Sequence, residues 1–383
     1  MLQGLRVVDC TERLGWLAGR LLADMGAELI KIEAPQADLS AAEWRALNVN
    51  KRLVRLDLMA TGAAQALDAL AASADILLAT PAPGGRSAEL FDYARLALAN
   101  PRLILVTITP FGLSGPKAAW RASDLELMAA GGAMSLAGDP QGPPLRVSAP
   151  QSYAWVGGQA AVGATMALAA RARTGRGQLV DVSAQAAVVT ALAHAPTFVD
   201  IAGTTPTRAG AFMTGRSVSG TRYRVFWPCR DGYINFILYG GAAGRRTNEQ
   251  LVDWMRRAGA GIGALADIDW ARFDPTRTSQ AQVDALEAPI AVFLSGLSKR
   301  EFLEGAHQRE MLGYPVSTVR DIATDPQLQA RSFWQHVVTD DGRTERHNGA
   351  FFLRNGLRPP LRAAAPPPQA AAAQEAPCRP SKA

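Results

Sequence analysis

Lys51 and Arg52 are adjacent cations that follow Asn50, and Arg13 and Arg121 stand near the ends of other elements. Guanidinium and ammonium groups of this kind recognise phosphate and carboxylate. Read without further context, Lys51-Arg52 is a solvated face at a strand edge, and Glu12-Arg13-Leu14 is an exposed loop. Gly240-Gly241-Ala242-Ala243-Gly244-Arg245 is a glycine loop of the type that cradles phosphate or a carboxylate, or a flexible turn before a helix over 248–257. The four histidines (194, 307, 336 and 347) lack metal-ligand spacing, and no metal site is expected. The cysteines (10, 229 and 378) are three, widely spaced and without C-x-x-C, which points to a reducing compartment. The net charge of +6 is diffuse, with no basic run interleaved with aromatic residues. That balance suits a polyanionic small ligand and argues against nucleic acid. Arg6 and Asp9 interrupt the first apolar run, and no segment reaches the ~20 apolar residues of a membrane span, so a cytoplasmic protein is expected.

The elements that must hold these residues alternate between strand and helix. Residues 5–9 read as a first strand, 15–25 as a helix closed by Gly26, and 28–33 as a second strand stopped by Pro35. Strands at 53–58, 75–79 and 103–107 follow, with a helix at 63–73 between the first two. This order predicts a parallel, doubly wound sheet of Rossmann-like type with right-handed crossovers. No G-x-G-x-x-G follows either of the first two strands, so NAD is not indicated. Residues 154–173 are Ala-rich without proline and predict a long helix, stopped by Gly175. Gly157, Ala161, Ala164 and Leu168 share one face of it, nearly bare of side chains, so another backbone can approach closely. A short strand at 178–182 and a further helix from Ala184 come next.

Several ordered motifs resemble those of the family III (CaiB/BaiF) CoA-transferases, which include formyl-CoA and carnitine CoA-transferases and α-methylacyl-CoA racemases. They are Asn50-Lys51-Arg52 with an L-D-L strand, Phe111-Gly112-Leu113-Ser114-Gly115-Pro116, the helix with G-x-x-x-A-x-x-G, and Thr174-Gly175-Arg176-Gly177-Gln178 before a strand. The resemblance covers about residues 1–358. It implies that coenzyme A or an acyl-CoA is the substrate, contacted near Arg13, Lys51, Arg52, Leu56, Thr80 and Arg121, with a carboxylic acid as the other partner. Thr80, in Thr80-Pro81-Ala82-Pro83-Gly84, stands where the family has asparagine. The family's nucleophile is an aspartate four residues before the glycine matched by Gly157, and here that position is Tyr153. No acid lies between Asp139 and Asp181. The racemases place a histidine where this chain has Ser123, so both bases of their proton relay are missing.

Three functions follow as expectations. The first is the non-nucleophilic chain of a heteromeric CoA-transferase, whose aspartate-bearing homologous subunit is the partner; Pro150-Gln151-Ser152-Tyr153 and the segment 314–331 most resemble one subunit of such a two-chain member. The second is a stand-alone acyl-CoA-binding protein. The third is an active homomer with a relocated nucleophile, Asp124 or Asp181 being the candidates. The resemblance also implies an interlocked dimer.

The expected organisation is a large domain over 1–190, a linker over 191–224, a smaller α+β domain over 225–330, a return over 331–362 and a disordered tail over 363–383. In the smaller domain Asp231-Gly232 predicts a hairpin, followed by helices at 280–295 and 299–308.

Overall fold

The structure is a computed structural model, and it describes residues 1–82, 85–213, 220–339 and 342–363. The expected tail, apart from residue 363, lies outside the described residues, as do Pro83, Gly84 and Cys378. The chain divides into two compact units. One takes Met1–Met134, Arg146–Thr205 and the chain from Pro326 onward; the other takes Ser135–Leu145 and Pro206–Asp325.

The first unit is built on six parallel strands: β1 (Arg6–Cys10), β2 (Glu28–Glu33), β3 (Arg52–Arg55), β4 (Ile76–Ala79), β5 (Ile104–Thr109) and β6 (Leu179–Ser183). Their order is β3-β2-β1-β4-β5-β6, with registers such as Val8 opposite Ile30 and Leu77. Helices run between them, α1 (Trp16–Asp24), α2 (Ala42–Asn48), α3 (Ala63–Ala72), α4 (Arg86–Leu90), α5 (Tyr93–Ala99), α6 (Asp124–Ala130) and α7 (Ser152–Thr174), and α8 (Ala184–Ala191) follows the last strand. Alternate strand residues feed two cores. Val7, Leu29, Ile76, Leu78, Val106 and Ile108 pack with α1, α6, α7 and α8. Val8, Ile30, Ile32, Leu77 and Leu105 pack with Leu67 and Ala71 of α3 and Leu96 of α5. A central sheet buried on both faces is what near-continuous apolar strands dictate. Strand β3 is shorter than its apolar pattern predicts, ending at Arg55, whose guanidinium turns to the carbonyls of Ala34 and Ala37.

Helix α7 is the spine of this unit. Gly157, Ala161 and Ala164 of the predicted bare face are buried, with Leu168 packed at the edge of the same core. A Cβ on Gly157 would lie 2.8 Å from Leu17 Cβ and 3.2 Å from the Ala18 nitrogen, so α7 meets α1 at backbone distance. We expect Gly157→Val to destabilise the protein by about 2–4 kcal/mol through this overlap, measured by urea unfolding. An unchanged midpoint would mean the two helices can separate.

Asn50 adopts a left-handed conformation, φ 66°. Its N–H donates to the Arg362 carbonyl (2.9 Å), the Arg362 N–H donates to Asn50 Oδ1 (2.8 Å), and Asn50 Nδ2 donates to Asp24 Oδ1 (2.7 Å). The returning chain is thus stitched to the residue before Lys51. A helix, α9 (His194–Ala202), occupies part of the stretch expected as an irregular linker. Residues 214–219 of that stretch lie outside the described residues.

The second unit has the expected hairpin, with Phe226–Cys229 antiparallel to Gly232–Asn235 and Gly232 opposite Cys229. The helices Gln280–Ser295 and Lys299–Gln308 stand where the sequence puts them, each opened by a serine capping box. The glycine loop does not. A helix runs over Gly241–Arg257, so Gly241 to Arg245 are its first turns rather than a loop before it. Asn248 fixes this start by donating from Nδ2 to the Tyr239 carbonyl at 2.9 Å. No helix among the described residues is long and apolar enough to cross a membrane.

Candidate acyl-CoA site

Strand order reverses between β1 and β4, and the crevice beyond the carboxyl ends of such strands is where doubly wound sheets take ligands. The loop after β1 carries Thr11 to Gly15, and the chain after β4 begins at Thr80. They are tied together, the Glu12 N–H donating to Thr80 Oγ1 at 2.7 Å. The hydroxyl at the expected asparagine position therefore has an internal partner.

Arg13 rises from this loop over Tyr153, its guanidinium carbon 5.5 Å from the ring centroid. The same guanidinium is paired with Glu43 of α2 at 2.6 Å. Tyr153 lies in the first turn of α7, half-buried against the core. Its Oη accepts the Asp124 N–H at 3.2 Å. Burial, the largest influence, pushes the phenol above its usual range, and the Asp124 N–H and Arg13 only partly offset it. The phenol is therefore protonated at neutral pH.

The two acids considered as relocated nucleophiles, Asp124 and Asp181, are both bound to backbone. Asp124 Oδ1 accepts from the Gln151 N–H (2.8 Å), the Ser152 N–H (2.9 Å) and the Ser152 hydroxyl (2.8 Å). It caps α7 from outside, which explains why that helix begins before the predicted Ala154. Asp181 Oδ2 accepts the Leu113 N–H at 2.9 Å and holds the Phe111–Pro116 turn, where Gly112 has φ 93°. Ser123 closes a capping box with Glu126 at the start of α6.

The Lys51-Arg52 pair is not a solvated face, and this expectation is corrected. Lys51 is 2% exposed. Its Nζ donates to Asp9 Oδ2 (2.9 Å), Asn48 Oδ1 (2.8 Å) and the Trp16 carbonyl (2.8 Å), which uses all three of its hydrogens. It is not placed to meet a phosphate. Lys31 lies 3.7 Å from Asp9 Oδ1 and 3.3 Å from Glu33 Oε1, also fully buried. Burial alone would raise the Asp9 carboxyl, but Lys31 and Lys51 reverse that and hold it below its usual range. Burial pushes the Lys51 ammonium down to about 8 against the pull of Asp9, so the pair is ionised at neutral pH. Arg52 is half-buried and Arg121 exposed, and neither has an ion pair among the described residues. Leu56 is half-buried against the α3 core.

Sequence reading missed Glu43 and the Asp9–Lys31–Lys51 cluster. The signal for the cluster was present: Asp9 and Lys31 fall in phase with Val7 and Leu29, on a face that is otherwise apolar. Nothing local marks Glu43, which reaches the site only through the fold.

The profile of the CoA-transferase family III matches residues 2–371. Succinyl-CoA:(R)-benzylsuccinate CoA-transferase subunit BbsE of Thauera aromatica is 32% identical, over 88% of this chain and 83% of its own length. Succinate–glutarate CoA-transferase of Agrobacterium fabrum is 28% identical over 89% of this chain and 86% of its own. The crystal structure of a CAIB/BAIF family protein from Brucella suis matches with a TM-score of 0.78 at 25% identity, covering 96% of this chain and 95% of that one. The parallel sheet, the family profile over residues 2–371 and these likenesses converge: the chain belongs to CoA-transferase family III.

Proposed function

We propose that this chain is the non-nucleophilic subunit of a heteromeric enzyme that moves CoA between carboxylic acids. The carrying observation is Tyr153, a protonated phenol under Arg13 where the family resemblance requires a carboxylate. In that chemistry the aspartate attacks the donor thioester and expels CoA thiolate, leaving an acyl-aspartyl anhydride. The thiolate then attacks the aspartyl carbonyl, releases the donor acid and leaves an aspartyl-CoA thioester for the acceptor. A phenol has no carbonyl carbon to receive the thiolate. A relocated nucleophile at Asp124 or Asp181 is disfavoured, because their engaged oxygens hold α7 and the Phe111–Pro116 turn.

The partner is a homologous chain that carries the aspartate, and the two form the interlocked dimer of the family. Val162 and Met166 of α7 and Phe198, Val199 and Ile201 of α9 are 47–81% exposed, apolar surface that such a partner would cover. Co-expression with candidate homologues followed by affinity capture tests this. Copurification of an aspartate-bearing chain with CoA-transferase activity is expected, and a monodisperse monomer that captures none would overturn it. The stand-alone acyl-CoA-binding reading has no observation in its favour over this one.

On the same reading Arg13, Arg52, Leu56, Thr80 and Arg121 line the acyl-CoA site, with Arg52 and Arg121 as its phosphate cations. Calorimetry should show CoA binding that weakens with salt, and about tenfold weaker binding by Arg121→Ala. Equal affinity in that variant would remove Arg121 from the site.

A further inference from the structure

We infer that the buried Asp9–Lys31–Lys51 cluster is a positioning device for the loop after β1, holding Arg13 over Tyr153, and that Lys51 acts through this loop rather than on a phosphate. The ligand half of the inference rests on the acyl-CoA reading above; the loop half does not.

Three charges in a sheet core are costly, since each loses its hydration, and an apolar trio of similar volume would satisfy the packing. What the charges do instead is bind the loop at both ends. Asp9 Oδ1 accepts the Thr11 N–H (2.9 Å) and the Thr11 hydroxyl (2.6 Å). Lys31 Nζ donates to the Thr11 carbonyl. Lys51 Nζ donates to the Trp16 carbonyl, four residues past Glu12. Between these anchors the Gly15 N–H donates to the Glu12 carbonyl at 2.8 Å, and Glu12 is held to Thr80. Arg13 is thus carried on a turn whose flanks are fixed from beneath, while its side chain is free to reach Glu43 and Tyr153.

Two glycines seat the device. A Cβ on Gly15 would fall 2.7 Å from Thr11 Cγ2. A Cβ on Gly19 would overlap Asp9 Oδ2 and lie 2.9 Å from Lys51 Nζ, so α1 rests directly on the ion pair. Loop, helix and cluster can move only together.

The test compares Lys51→Met with Leu67→Ala, a truncation in the α3 core on the other sheet face. Hydrogen exchange read by mass spectrometry should show the Thr11–Gly15 amides exchanging at least about tenfold faster in Lys51→Met, with β5 unchanged. Leu67→Ala should not single out that loop. CoA affinity should fall about tenfold in Lys51→Met with its salt dependence unaltered, and adding Arg13→Ala should then cost little more. Loop exchange unchanged, or raised evenly across the protein, would overturn the inference. So would a salt dependence that falls with Lys51→Met, the signature of a direct phosphate contact. If the unaltered protein binds no CoA, the acyl-CoA reading fails while the exchange comparison still decides the loop. Should Lys51→Met not fold, Thr11→Val removes the hydroxyl bond to Asp9 at constant volume and is judged by the same exchange pattern.

Discussion

Purified alone, this chain is expected to transfer no CoA from succinyl-CoA to any acid acceptor, and no acyl or CoA adduct should be trapped on it by hydroxylamine. Family chemistry passes through a thioester formed on the nucleophile's own carbonyl carbon, and Tyr153 has none. Its phenol is also a poor nucleophile, because burial holds the proton on. Turnover by the isolated chain would overturn this, and mapping of the adduct would then find the true nucleophile. Tyr153→Asp places a carboxylate at the head of α7, where free N–H groups and the helix dipole favour its ionised form. The expected result is a folded, silent protein. The Asp124 N–H loses the phenol it now meets, and Arg13 remains paired with Glu43. A hydroxylamine-sensitive adduct mapped to residue 153 would show instead that the pocket outlived its nucleophile.

The largest effect on stability is expected from Asp9→Ala. The carboxylate is wholly buried between Lys31 and Lys51, and its removal leaves the buried Lys51 ammonium without a carboxylate and Lys31 with Glu33 alone. Leaving buried charges unmatched costs about 3–5 kcal/mol, read as a lowered urea midpoint. The pH dependence follows from the direction of the Asp9 shift. A carboxyl held below its unfolded value of 3.8 contributes stability above that pH and loses it as pH falls through the folded value. Acid unfolding should therefore begin at higher pH in Asp9→Asn than in the unaltered protein. A variant as stable as the parent from neutral pH to acid would mean the lysines find other partners.

The parallel sheet was legible because strand and helix periodicities differ and β2, α3 and both serine-capped helices of the second unit have clear local signals. The bare face of α7 was equally legible, since Gly157, Ala161 and Ala164 leave no other use for that side of a helix. Family membership rested on motifs spread along the chain, and Tyr153 was visible as the exception among them. The glycine run at 240–245 misled, because glycine marks a loop locally while packing by Asn248 and its neighbours draws it into a helix.

What the sequence by itself determined is therefore the order of elements, the family and the absence of any acid between Asp139 and Asp181, all of which depend on neighbours in the chain or on motif identity. Tertiary structure alone decided the use of the charges. Whether Lys51 faces water or Asp9 depends on a residue 42 positions away. That Arg13 meets Tyr153 and Glu43 depends on three separate elements reaching one point. Local periodicity places a side chain on a face of its own element, but the partner across that face is fixed only when distant strands take their register. A buried ammonium and a solvated one therefore read identically in sequence until the fold supplies, or withholds, the opposing carboxylate.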